Sequence, residues 1–469
     1  MSERIGLLVR TRREGGAAMP DDLFGLRVAA APAALEPWRR TVLAFLSHGS
    51  SVPEHLAATI EADPRFTMAQ AARGLFLMLL GRAELLDGAR DALAAARAGA
   101  PASAREAAYA DALSAWLDGR PSGAVAHLDE ALAAAPGDAL AMKIAHSVRF
   151  TLGDAAGMRG ALEAVAPQYG AGHPAAGYFL GCTAFALEET GEYAAAERAG
   201  RAALEIAPDD AWGLHAVAHV HDMTHAPEAG IAWLEAREAS FAHCNNFRFH
   251  VWWHKALMHL DRGEHAAVLA LYDEAVRAER TDDWRDISNA ASLLMRLELD
   301  GARVGDRWEE IAALSAARTD DACMIFADLH YLMSLLGAGR SGDAAAMLAR
   351  LARSAGGDCE TSRRTARPGL PVAQGLAAFA AGDHAAAWRS LSAAIPDLQA
   401  AGGSHAQRDV FERIAADAGI RSGNLAGAEA LLRSRVRKRG GHEDRFGATR
   451  RAMIDAARAG ADADLHAAE

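Results

Sequence analysis

The sequence predicts an all-α chain, an α-solenoid of tetratricopeptide-like helical hairpins. Three observations predict it. Apolar residues make up 51% of 469 positions and aromatic residues only 6%, with alanine abundant; alanine is the best helix former and lets helices approach closely. Apolar helical runs are broken by short turns at near-regular intervals, the mark of stacked helical repeats. Small residues recur at fixed offsets from those turns, where two helices of a hairpin must touch.

Taken in order, the turns fall at Gly81, Gly119, Gly153, Gly191, Ala226, Gly263, Gly339, Gly382 and Gly423, with one more hidden near 301–305. Five residues after a turn stand Ala124, Ala196, Ala387 and Ala428, and twelve after it Ala131, Ala203 and Ala275. Pro136 and Pro208 stop second helices. The pattern predicts about nine or ten hairpins from near 35 to near 440, divergent after 300. Residues 1–34 are a poorly defined N-terminal segment and 441–469 a polar C-terminal helix or tail; both are placed to cap the array.

The net charge of −12 disfavours nucleic acid, which needs clustered cations. The basic run Arg433 to Arg439, "RSRVRKR", reads as a solvated helix end, with a patch for an acidic partner as the alternative. Cys182, Cys244, Cys323 and Cys359 have no CxxC spacing and suit reduced thiols in a cytoplasm. The N-terminus lacks an apolar signal core. The longest apolar run, Gly74 to Gly81, is too short to cross a bilayer. No membrane partner is expected; a homo-oligomer is compatible with the sequence.

The blocks "HAVAHVHDM", "GIAWLEAREASF", "NNFRFHVWWHKALMHLDRGEH", "FADLHYLMSLLGAGR" and "GGSHAQRDVFE" resemble the tetratricopeptide repeat protein 38 family over roughly residues 35 to 440. The resemblance implies a helical repeat fold and no settled biochemical activity.

Nine of the 19 histidines fall between His215 and His265. His215 and His219 are four apart, as are His250 and His254, and Asp222 follows His219 by three; such spacings share a helical face. These residues lie on first helices of successive hairpins, the helices that line the concave surface of a solenoid. His219 also occupies the small-residue position held elsewhere by Ala112, Ala184, Ala256 and Gly375. A break in a local rule marks a candidate site.

Three readings are open. The histidines are ordinary core or surface groups, as in a passive scaffold. Or His215, His219, Asp222, His250 and His254 hold a divalent metal, zinc, iron or manganese, for which imidazole and carboxylate are suitable ligands. Or they line a concave channel that binds a small molecule or peptide, with Arg248, Trp253, His330, His405, Arg408 and Asp409 completing it. An enzyme in the same channel would use His219 with Asp222, or His330 with Asp328, as acid and base. The HExxH metalloprotease pattern is absent, and "GAGRSG" sits at a repeat turn rather than after a strand.

Overall fold

A computed structural model describes residues 19–467 except 100 and 102, with side chains described to 459. The first 18 residues of the expected N-terminal segment therefore lie outside the described residues. Among the described residues eleven helical hairpins follow one another. They are α1 (Leu35–Leu46) with α2 (Val52–Ala62), α3 (Thr67–Leu79) with α4 (Leu86–Ala98), α5 (Ala104–Leu117) with α6 (Pro121–Ala134), and α7 (Ala139–Leu152) with α8 (Ala155–Val165). Then come α9 (Ala176–Glu189) with α10 (Tyr193–Ile206), α11 (Ala211–Met223) with α12 (Pro227–Glu235), and α13 (Phe247–Asp261) with α14 (His265–Leu271). The last are α15 (Trp284–Leu299) with α16 (Arg307–Ala316), α17 (Ile325–Gly337) with α18 (Ser341–Ser354), the short α19 (Glu360–Arg364), α20 (Leu370–Ala380) with α21 (His384–Ala394), and α22 (His405–Arg421) with α23 (Leu425–Lys438). One further helix, α24 (Arg445–Ala467), follows. The fold is the expected all-α solenoid. The extra hairpin is α1/α2, whose turn at Ser47–Ser51 carries no glycine at the left-handed position: His48 takes it, with φ 59°.

The turn glycines do the expected work. Gly119, Gly191, Gly339 and Gly423 all have positive φ, closing a first helix where a side chain would meet backbone strain. In the α11/α12 turn the left-handed residue is His225, φ 53°, one position before the expected Ala226. Ala124, Ala131, Ala196, Ala203, Ala387 and Ala428 are wholly buried, as hairpin contacts require. Ala275 is only half-buried, because α14 gives way to a π-turn over Tyr272–Val276.

The array closes on itself. Ends of earlier hairpins bond to elements 184 to 246 residues later. Arg82 pairs with Asp282. Gln399 Nε2 donates to Gly153 O at 2.8 Å. Asp222 meets Arg439, and the Arg445 backbone N–H donates to Asp261 at 2.8 Å. The concave surface is thereby enclosed, and residues far apart in the sequence face one another across it. The "RSRVRKR" run is part of this closure and only partly solvated. Arg435 is buried between Asp409 and Asp444, and Arg439 is buried on Asp222. Helix α24 seats Phe446 among Arg413, Arg435 and Arg450. At the other end Asp22 pairs with the buried Arg105 at 2.7 Å. Among the described residues no helix is long and apolar enough to cross a membrane.

Candidate functional site

Helices α11 and α13 are first helices of neighbouring hairpins and pack side by side. Each carries histidines four residues apart on the face turned to the enclosed interior. The four rings meet: one nitrogen from each of His215, His219, His250 and His254 lies within 4.8 Å of all the others, and all four residues are buried. His219 Nε2 is 2.9 Å from His215 Nε2, which is 2.9 Å from His250 Nε2, which is 3.2 Å from His254 Nε2.

This chain of contacts cannot be a chain of hydrogen bonds. An imidazole nitrogen has one in-plane position, filled either by a proton or by a lone pair. His215 Nε2 and His250 Nε2 each face two partners, so at most two of the three contacts are linear hydrogen bonds. Burial pushes the ring pKa of His215 and His254 well below the usual imidazole value, and that of His250 to about 3. These three rings are therefore neutral near pH 7, with lone pairs to offer.

Partners hold the rings from behind. His250 Nδ1 lies 3.0 Å from Asn289 Oδ1; with the proton on that nitrogen, Nε2 keeps its lone pair. His219 Nδ1 lies 3.3 Å from Glu188 Oε2, close but not aligned as a hydrogen bond. Trp253, fully buried, stacks on His250 with ring centroids 5.2 Å apart, and Phe185 stacks on His215 at 5.6 Å. Such outer groups orient metal-ligating imidazoles and tune their basicity.

A second polar cluster adjoins the first. Glu188 is fully buried at the end of α9, and His405 Nε2 reaches its Oε1 at 2.5 Å from the start of α22. The His405 ring lies 5.9 Å from that of His219. Burial raises the Glu188 carboxyl, but His405 and His219 outweigh it and bring the pKa to about 2. Burial likewise opposes the charge on His405, while Glu188 and Glu189 lift its pKa to about 9. The two groups form a buried ion pair.

Two cavities flank this polar core. The larger, about 890 Å³, is walled by His215 and His250, by Phe45, Phe150, Trp212 and Trp284, and by Lys143. The smaller, about 650 Å³, holds His405, Arg408, Asp409, Arg296 and Arg439. The imidazoles and Glu188 stand between them.

Several expected site residues lie elsewhere. Asp222 does not join the imidazoles: it sits one turn beyond His219 at the end of α11, where Arg439 takes it. Arg248 points outward to Glu279 at 2.5 Å. His330 packs between Phe326 and Phe411 and its Nδ1 bonds to Phe326 O at 2.8 Å. Asp328 is bound by both terminal nitrogens of Arg350, at 2.8 and 2.6 Å. Residues two apart on a helix face different ways, so His330 and Asp328 form no acid–base pair. Arg408 bonds to the Gly402 and Gly403 carbonyls and reaches Glu189 at 3.5 Å. Asp409 is consumed by Arg413 and Arg435. Glu188 and Lys143 were not singled out in the sequence. Glu188 reads there as one more charged helix end, and Lys143 as one lysine in an amphipathic run.

No family model matches the chain. Among solved structures, the human IFIT1 dimer with PPP-AAAA is similar over 80% of this chain and 87% of that one, at 13% identity and TM-score 0.38. Yeast Tom70 is similar over 81% and 93%, at 11% identity and TM-score 0.30. Neither likeness is close enough to bear on a site, and the assignment as a tetratricopeptide-like solenoid rests on the hairpins themselves.

Proposed function

We propose that the protein binds a divalent transition metal through His215, His219, His250 and His254 and holds a small molecule in the cavity beside it. The supporting observation is the convergence of four buried Nε2 atoms that hydrogen bonding cannot satisfy together. A cation at their centre uses every lone pair at once. Zinc–imidazole bonds of about 2.0–2.1 Å set tetrahedral N···N separations of about 3.4 Å, so the three closest pairs need open by about half an ångström or less. An all-imidazole set suits zinc or iron better than manganese, which favours oxygen ligands. A passive scaffold gains nothing from burying four imidazoles against one another, since each loses its water.

A catalytic form of the reading has one observation in its favour: His215 and His250 belong to the quartet and also to the cavity wall. Four imidazoles fill a tetrahedral ion, so a ligand there would meet a Lewis acid only where the ion takes a fifth ligand from the cavity side. The blocks that resemble the tetratricopeptide repeat protein 38 family fall on α11, α12, α13, α17 and α22 and imply no activity of their own. A cytoplasmic setting is part of the proposal, since it suits four unpaired cysteines.

Cobalt(II) added to chelator-treated protein tests the proposal. Visible absorption of a nitrogen-bound tetrahedral ion, saturating at one equivalent and absent from His250→Ala, is expected. A wild-type protein that gives no such bands overturns the metal assignment.

A further inference from the structure

The 890 Å³ cavity has a feature that the metal reading does not use. Lys143, on α7, lines it and is 2% exposed. Its Nζ has one hydrogen-bond neighbour among the described residues, Cys182 Sγ at 3.8 Å, and lies 4.6 Å above the Trp212 ring. No carboxylate pairs with it within 4.0 Å among the described residues. The nearby Asp210 instead caps α11, accepting from Gly213 N at 3.2 Å. A buried ammonium with three donors, one thiol and a π-face is far from satisfied.

The remaining charges on the wall are accounted for. Arg285 is held by Asp283 at 2.9 and 2.6 Å. Arg73 and Glu61 are exposed. His48, His215 and His250 are kept neutral by burial. Lys143 is thus the one unpaired buried cation among the described residues of this wall. The rest is strongly apolar, with Phe45, Phe76, Phe150, Trp212, Phe247 and Trp284 among the lining side chains.

We propose that this cavity takes an amphiphilic carboxylate, its anionic head on Lys143 and its apolar body along the aromatic wall. A carboxylate supplies the acceptors that the ammonium lacks, and in a dry wall that pairing is worth more than at a surface. The volume lies in the range of small-molecule pockets, about 300–1,000 Å³. The inference rests on the reading of this cavity as a ligand site, but it requires no metal.

The test uses chelator-treated full-length protein at pH 7.5, so that it stands apart from the metal assignment. Neutral N-phenyl-1-naphthylamine reports occupancy by fluorescence. Decanoate, decanol and decyltrimethylammonium compete with it. Decanoate is expected to displace the dye at about tenfold lower concentration than decanol, with the cation weakest. Lys143→Met should still bind the dye and bring decanoate and decanol within threefold of each other, while Lys143→Arg keeps the preference. Equal displacement by all three ligands, no dye binding at all, or a preference that survives in Lys143→Met overturns the proposal. If Lys143→Met does not fold, the wild-type ranking and Lys143→Arg decide.

Discussion

Replacing Glu188 with glutamine removes one charge from the polar core and little else. Glutamine keeps the shape of the side chain and can still accept from His405. What it loses is the ion pair, whose strength the structure expresses twice. Glu188 moves from 4.5 to about 2 and His405 from 6.5 to about 9. Each shift corresponds to about 3 kcal/mol, at about 1.4 kcal/mol per pH unit. The two shifts share the Glu188–His405 contact, with His219 adding to the first and Glu189 to the second, so the figure is counted once. It agrees with the cost of breaking a buried pair from one side, about 3–5 kcal/mol.

The pH dependence carries a sign. A depressed carboxyl stabilises above 4.5 and loses that contribution as pH falls towards 2. A raised imidazole stabilises below 6.5 and loses it as pH rises through 9. The pair is fully present between pH 4.5 and 6.5. Urea unfolding of chelator-treated wild type and Glu188→Gln should therefore differ by about 3 kcal/mol at pH 6 and by about 1 kcal/mol or less at pH 10. A difference below about 0.5 kcal/mol at pH 6, or one unchanged between the two pH values, would refute the ion pair.

Three other expectations follow from the same geometry. Trp253→Ala removes a fully buried indole stacked on His250 and should cost about 3–5 kcal/mol in urea unfolding; a loss under about 1 kcal/mol contradicts its place in the core. His215, His250 and His254 have folded pKa values below 6.5. Their contribution is full above 6.5 and drains as pH falls towards 3, because the unfolded chain takes up protons first, at up to about 1.4 kcal/mol per pH unit for each ring. Stability that is flat from pH 7 to 5 sinks that claim. Gly153 has φ 68°, and a Cβ there would stand 1.8 Å from Gln399 O. Gly153→Ala should loosen the closure of the solenoid, read as faster limited proteolysis near 153 and 399 with helix content preserved; an unchanged digestion pattern counts against that closing contact.

The hairpins were legible because their signals are local. A left-handed residue after each first helix and an alanine five positions later are both written within one repeat. The turn at His225 shows the limit: another residue type took the glycine's place, and the register read from the sequence slipped by one. His219 stood out for a wrong reason: with the turn at His225 the small-residue place belongs to the wholly buried Ala218, and it was spacing by four that correctly paired His219 with His215. Spacing failed for Asp222, since nearness on a helix surface says nothing about Arg439 arriving from the far end of the chain. Closure of the array uses polar contacts some 200 residues apart, with no period to betray them. For that reason neither the Glu188–His405 pair nor the enclosure of the cavity beside Lys143 could be read from one repeat.

The central claim is that four imidazoles hold a metal. Elemental mass spectrometry of the untagged, purified protein, beside a His215→Ala/His219→Ala double variant, tests it most directly. The account predicts close to one equivalent of zinc or iron in the wild type and none in a folded double variant. A wild-type protein that is folded, metal-free and unable to take up zinc or iron at micromolar concentration would contradict it.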